Sequence, residues 1–420
     1  MKFKVNSILL LCLVFAAISV FASPLSFITY HTEDCIEAQL LNEFGDEEGI
    51  DTDWIAIPSA SYHDKVALDL FTSKGTWDIF YSWQAWTMEF ENYLEDITEL
   101  IPDEIKADVV EAAADAVVSN GKWYGMPMFL SIYVLYYNEE LLQEAGYSHP
   151  PANFDELEEM SEAIYKKTDG EVYGFAREGT AQGPFQTFLI LIQSVGGNFY
   201  AKDSEGNLVP DFNNEYGKRA LEIYKKLYGS DWVDPQSLTS LDPVIRRAVA
   251  SGKVAMAICP AGSIDPIVAN DFPENIGKVK STIIPGDLGD INALSNATRS
   301  STIPGSMGPA IRKSSTNKNI AVDYMLMLAT PEWQKRIMDS YGFVPMLKSM
   351  ANDKEIIEEN PYIVTAMEQA KYPHQRWADE YYDAIQEEVT PILSMVVSGS
   401  ISFDDALDKM EEAVKETRED

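Results

Sequence analysis

The chain has 420 residues, of which 46% are hydrophobic and 24% charged. That is the composition of a folded protein of two or more domains or lobes, and it excludes a disordered chain. The formal charge of −35 repels nucleic acid and anionic membrane surfaces, so neither is an expected partner.

Lys2 and Lys4 precede an apolar run from Ile8 to Phe21, closed by Val20-Phe21-Ala22. A charged start, an apolar middle and a small residue at the end read as a signal peptide, residues 1–22, cleaved near Ala22. Loss of its two lysines takes the charge from −35 to −37. The run is short of the roughly 20 residues a membrane span needs. Leucines precede Cys12, where a lipidation site needs a small residue, so the protein is not expected to be a lipoprotein. No later stretch is long and apolar enough to span. A secreted protein, periplasmic or extracellular, is expected.

Pro24 to Tyr30 predicts a first strand. His31-Thr32-Glu33-Asp34 makes a polar turn, and Cys35 to Phe44 a helix with Ile36, Leu40, Leu41 and Phe44 on one face. Ile50 to Ile57 predicts a second strand, Ser61 to Thr72 a second helix, and Trp77 to Tyr81 a third strand. This alternation implies a parallel sheet flanked by helices. Ligands of such sheets sit beyond the carboxyl ends of the strands. His31, Glu33 and Asp34 follow strand one there; Ser82, Trp83, Gln84 and Trp86 follow strand three.

Asn120-Gly121 is a tight-turn pair. Trp123-Tyr124 is strand-like, Gly125 and Pro127 interrupt pairing, and Ile132 to Tyr137 predicts a buried strand. Asn138 caps the helix that starts at Glu139-Glu140, and Gly146 stops it. Taken alone, these residues describe an ordinary connection inside an α/β domain.

The stretch Asn-Gly-Lys-Trp-Tyr-Gly-Met-Pro (120–127), followed by Leu-Tyr-Tyr-Asn-Glu-Glu-Leu-Leu (135–142), also resembles the first crossover of the extracellular solute-binding proteins that serve ABC importers, in their carbohydrate-binding, maltose-binding-protein-like branch. The resemblance puts Met128 to Ser131 at a hinge and at the floor of a cleft between two lobes. Earlier in the chain, Asp-Ile-Phe-Tyr (78–81) resembles the family's third strand, with Trp77 where the family usually has Pro.

The rest of the chain keeps the family's order. Pro150-Pro151 and Asn153 to Leu157 resemble a helix start, and Tyr173-Gly174-Phe175 a short strand. Helices are predicted over Glu156–Thr168, Gln182–Ser194 and Tyr216–Tyr228. Ser251 to Ile258 resembles a strand that the family commonly follows with Gly-Pro-Trp; Cys259-Pro260-Ala261-Gly262-Ser263 stands here, without the aromatic. Pro304 to Ile311 resembles the return to the first lobe, with Met307 at the position of a Trp. Thr330 is predicted to cap a helix with Pro331 at its first position. Tyr341 to Pro345 resembles the Gly-x-x-Pro turn, and Pro361 to Asp420 reads as helices separated at Gly399. The resemblance covers nearly all of residues 24–420.

Enzyme motifs find little support in the chain. Carboxylates are too abundant for any pair to mark a glycosidase. Gly305-Ser306-Met307-Gly308 has Pro304 where a nucleophile elbow needs Gly, and Ser119-x-x-Lys122 is short enough to arise by chance. His31, His63, His149 and His374 lack metal-ligand spacing. There is no phosphate loop, and no cofactor or metal is expected. Cys35 and Cys259 fall on different lobes by the resemblance, and two free thiols are expected.

The expected fold is α/β with two lobes, each a mainly parallel sheet flanked by helices, and a ligand cleft between them. Lobe 1 comprises residues 23–130 plus 304–345, and lobe 2 residues 131–303 plus 346–420. The resemblance implies no catalysis but reversible capture of a mono- or oligosaccharide by hinge closure, as a monomer, and delivery to the transmembrane permease subunits of an ABC importer. Sugars stack on flat rings and need directional polar partners. The candidate ligand residues are His31, Glu33, Asp34, Trp83, Gln84, Trp86, Phe129, Ser131, Gln182, Phe185, Gln186, Gly262, Ser306, Met307, Arg376, Trp377 and Tyr382. Trp54, Trp123, Trp232 and Trp333 are assigned to core or surface. Two alternatives stay open: a binder of the same fold for a non-sugar solute, and a secreted carbohydrate-active lyase or hydrolase.

Overall fold

The computed structural model describes residues 23–29, 35–72, 75–180, 182–373 and 381–419. Strand β1 (Leu25–Thr29) is buried at every position. Strands β2 (Thr52–Ala56) and β3 (Ile79–Ser82) pair with it in parallel, and α1 (Ile36–Glu48) and α2 (Ser59–Phe71) are the intervening helices. Each element falls within a few residues of its predicted bounds. From β3 the chain runs through α3 (Gln84–Phe90) to a hairpin of β4 (Val118–Ser119) and β5 (Lys122–Trp123), turned at Asn120-Gly121.

The chain then enters a second sheet. Strand β6 (Tyr133–Asn138) leads into α4 (Glu139–Ala145), and Asn138 caps that helix by accepting from the Leu141 N–H at 3.2 Å. Helix α5 (Phe154–Lys167), β7 (Tyr173–Ala176), α6 (Gly183–Ser194), α7 (Glu215–Gly229), α8 (Asp242–Ala250), β8 (Val254–Pro260) and β9 (Val279–Thr282) follow. Every residue of α6 is buried. A helix apolar on nearly all sides belongs inside its domain, and α6 packs under α7 and a later helix.

The chain returns to the first sheet as β10 (Gly308–Ile311), followed by α9 (Pro331–Tyr341). Thr330 precedes α9, but its hydroxyl donates to the Met327 carbonyl at 2.8 Å and makes no cap. It adds a second bond to a terminal carbonyl of the preceding helix, which already accepts from the Thr330 N–H at 3.0 Å. A last passage leads to α10 (Tyr362–Gln369), which packs on β6 and β9. Helix α11 (Tyr382–Ser398) then lies on α6 and α7, and α12 (Phe403–Glu419) on α11 and α7.

The strand orders are β10-β3-β1-β2 and β9-β6-β8-β7. In each sheet three strands share a direction and one is reversed: β10 pairs antiparallel with β3, and β6 pairs antiparallel with both β8 and β9. The first sheet therefore matches the mainly parallel expectation. The second does not, since two of its three pairings are antiparallel. The cause is topological. Strands of a β-helix-β unit end at the ligand edge of a sheet, whereas β6 and β10 arrive from the opposite sheet and start there. Strand β10 takes an outer position, and β6 is inserted between two neighbours.

Three strips of backbone join the halves side by side. Leu130 is bridged to Val344 and Ile132 to Pro304. The Met128 N–H donates to the Met307 carbonyl at 2.9 Å, and the Gly305 N–H to the Ser131 carbonyl at 2.8 Å. Cys35 and Cys259 are buried free thiols, as expected.

Candidate functional site

The register fixes which ends of the sheets meet. Ser82, at the end of β3, pairs with Gly308 at the start of β10; Pro260, at the end of β8, pairs with Tyr133 at the start of β6. Both β10 and β6 begin just after a crossing, so the carboxyl ends of the other strands in both sheets point toward the crossings. This is where a ligand is expected.

Four predicted residues meet here across the two halves. Trp83 and Trp86 stand at the start of α3, with ring centroids 5.7 Å apart. Tyr382, opening α11, lies edge-on to Trp83 at 5.1 Å and is 5.4 Å from Phe185 on α6. Trp86 Nε1 donates to Asp383 Oδ2 at 2.8 Å. These rings are nearly out of solvent; even Trp86, the most exposed of them, is only 9% accessible. They pack against one another in a contact that joins the first half to the second. Trp83 and Trp86 follow β3 as predicted, but Trp86 lies in a helix and both rings are buried.

Ser131, Ser306 and Met307 sit on the crossing strips. The Ser131 N–H donates to Ser306 Oγ at 3.0 Å, which ties two strips together and gives Ser306 a structural task. Gln182 precedes α6, and its side-chain oxygen accepts from Gln186 Nε2 at 2.8 Å. Phe129 is elsewhere, packed on Phe343 at 4.5 Å and on Tyr341 at 6.0 Å. Gly262 is also apart, at φ 80°; a Cβ there would lie 1.5 Å from the Gly342 carbonyl oxygen. Its lack of a side chain serves a close backbone approach. His31, Glu33, Asp34, Arg376 and Trp377 lie outside the described residues. The Ser119 and Lys122 side chains are engaged separately, with Glu91 at 2.7 Å and Asp96 at 3.3 Å. His63 packs on Phe90 and bonds Glu89 at 2.8 Å.

Sequence reasoning missed a charged cluster behind this edge. Arg177 follows β7 and is fully buried. Its Nε donates to Thr187 Oγ1 at 3.1 Å and one terminal nitrogen to the Ile258 carbonyl at 3.2 Å, and its guanidinium lies 4.7 Å from the Tyr133 ring centre. Among the described residues no carboxylate forms an ion pair with it. Glu178, next in the chain, accepts from the Asp242 N–H at 3.3 Å. Burial pushes its carboxyl up to about 7, against the opposing pull of Arg177. Asp242 also pairs with Arg246. The available signal was position: Arg-Glu directly follows a predicted strand, where ligand-side residues belong. Among the described residues no group of three or more His, Cys, Asp or Glu side chains could hold a metal ion.

Beside the aromatic contact a groove of about 560 Å³ opens. Gln84 and Asp115 line it from the first half; Gly196, Asn198, Asn296, Thr298 and Lys371 line it from the second. Residues 32–335 match the model of the bacterial extracellular solute-binding proteins. The chain belongs to this family. Members bind solutes outside the cytoplasm, and the two-lobed architecture found here is theirs.

This solute-binding protein is 25% identical to a Brucella abortus protein named as a binding protein, over 63% of this chain and 61% of that one. The match thus spans about three fifths of that relative's length. It is 22% identical to a mannitol-binding protein of Pseudomonas aeruginosa over 94% of this chain and 93% of the relative. Among solved structures, the GacH receptor of Streptomyces glaucescens, studied unliganded and with acarbose, superposes with a TM-score of 0.79 at 21% identity, over 94% and 98% of the two chains. At that identity the likeness establishes the fold. No described helix is long and apolar enough to cross a membrane.

Proposed function

We propose that this protein captures a carbohydrate between its lobes by hinge closure and presents it to the permease of an ABC importer, without chemistry on the sugar. One observation carries the reading: a groove lined from both halves, beside buried aromatic and hydrogen-bond contacts between them, and three parallel strips of backbone as the connection. A solute touching both halves stabilises the closed arrangement over an open one, and the strips are where such a motion would bend. The amides that line the groove are groups that sugar hydroxyls require, and the rings of the neighbouring contact are of the kind on which sugar C–H faces stack. Relatives named for mannitol and studied with acarbose support the class.

In this reading residues 1–22 are a cleaved leader that is not lipidated, and the mature chain works as a monomer in the periplasm or outside the cell. Lobe 1 is residues 23–130 plus 304–345, and lobe 2 residues 131–303 plus 346–420. Trp83, Trp86, Phe185 and Tyr382 are proposed as the aromatic part of the site, and Gln84 as a polar contact.

The deciding measurement is thermal melting against a panel of mono- and oligosaccharides and sugar alcohols. A true ligand at a hundredfold excess over Kd adds about 2.7 kcal/mol, which raises the melting point by a few degrees for a protein of this size. The ligand must be recovered intact afterwards. A shift with amino acids or peptides alone would refute the carbohydrate reading, and a cleaved sugar would refute the absence of catalysis.

A further inference from the structure

The groove beside Gln84 says something about the length of the solute. It is lined from both halves of the molecule, and its volume of about 560 Å³ falls within the 300–1,000 Å³ typical of small-molecule sites. Its lining is chemically narrow. Gln84, Asn198 and Asn296 are amides, each able to donate and to accept, and Thr298 adds a hydroxyl. Of the two charged lining residues, Lys371 is already paired with Glu368 at 2.7 Å, so an anionic occupant finds no unpaired cation among them. Amides and a hydroxyl that both donate and accept suit a row of sugar hydroxyls.

Two further features prepare the groove. Gln84 Oε1 is buried, and among the described residues nothing donates to it. A buried acceptor in that state carries a desolvation cost, which an incoming hydroxyl would relieve. Asn296 is held in place from two sides. Its Nδ2 donates to Tyr216 Oη at 2.9 Å, and Gly196, at φ 87°, leaves room for its backbone: a Cβ there would lie 2.1 Å from the Asn296 carbonyl oxygen.

We propose that this groove receives the successive rings of an oligosaccharide, so that the solute is a chain of at least two sugar units, with one end beside Gln84 and the rest along Asn198 and Asn296. The proposal rests on the carbohydrate reading above. A single ring would leave the groove to water, whereas a chain bridges both halves and makes closure depend on length.

The experiment is titration calorimetry of the full chain with glucose, galactose, mannose and xylose and their linear di-, tri- and tetrasaccharides, repeated on Asn296→Ala and on Asn198→Ala/Asn296→Ala. Circular dichroism melts establish that the variants fold. The expected result is that within the preferred series a di- or trisaccharide binds at least tenfold tighter than its monosaccharide. The double variant lowers that ratio by at least fivefold. A monosaccharide that binds as tightly as its oligomers, or a ratio that survives in the double variant, overturns the proposal and leaves the carbohydrate reading standing. Binding of no sugar in the panel overturns both.

Discussion

Trp86→Phe removes a side-chain hydrogen bond between the first turn of α3 and the first turn of α11, Trp86 Nε1 to Asp383 Oδ2 at 2.8 Å. Phenylalanine keeps a ring against Tyr62, whose centroid lies 5.5 Å from that of Trp86, so local packing is largely retained. The bond has a charged acceptor, for which about 1.5–3 kcal/mol is usual. Asp383 is only half-buried, so the lower end applies, and water recovers part of the loss once the lobes separate. About 1.5 kcal/mol is roughly a tenfold change in an equilibrium constant. The closed arrangement is therefore expected to lose about tenfold in population relative to the open one. Fluorescent labels on the two lobes report the distance distribution, and small-angle scattering reports the overall shape. Asp383→Ala is expected to give the same shift, and the double variant no more than either single one, because both changes delete one interaction. If Trp86→Phe leaves the distance distribution and the ligand affinity as they were, or if the two losses add in full, the bond is not a closure contact and the argument fails.

Two further outcomes follow from buried groups. Glu178 has its carboxyl pushed by burial from the ordinary 4.5 up to about 7. Between those values the folded chain keeps a proton that the unfolded chain has lost, so this group's contribution falls as pH rises through the window and is fully unfavourable above about 7. The gap corresponds to about 3 kcal/mol. Glu178→Gln keeps an acceptor for the Asp242 N–H, so urea titrations are expected to show it more stable than wild type at pH 8 and equal to it near pH 4.5; a constant difference across that range would contradict the assignment. Cys35 and Cys259 are buried, with the Cys35 thiol pushed up to about 12 by burial. Reactive thiolate is therefore scarce in the folded state. A thiol reagent is expected to label neither until denaturant is added, and rapid labelling of the native protein would show that one of these sites opens.

Much of the architecture was legible in local pattern. Alternating strand and helix periods gave the first sheet and its helices, Asn120-Gly121 marked its hairpin, and Asn138 before two glutamates marked the cap of α4. These signals are short-range: a turn needs two permissive residues, a cap needs one oxygen, and an apolar face needs one period. A helix apolar on nearly every side, α6, likewise announced its place inside a lobe.

What tertiary structure alone decided is which distant residues meet. Tyr382 reaches Trp83, and Asp383 reaches Trp86 over a separation of 297 residues, because α11 returns to the second half after the third crossing. Nothing in the neighbourhood of either tryptophan encodes that. The reversal of β6 and β10 is set by which sheet the chain comes from, and a strand's own residues carry no record of its direction. Gln84 was a candidate from its place after strand three, but Asn296, far along the chain, was marked only when packing set both on one groove. Nothing in its own segment marks Arg177 for burial, yet it is fully buried. Burial depends on what the rest of the chain lays over a residue, and that is settled by packing, not by the period of the segment that carries it.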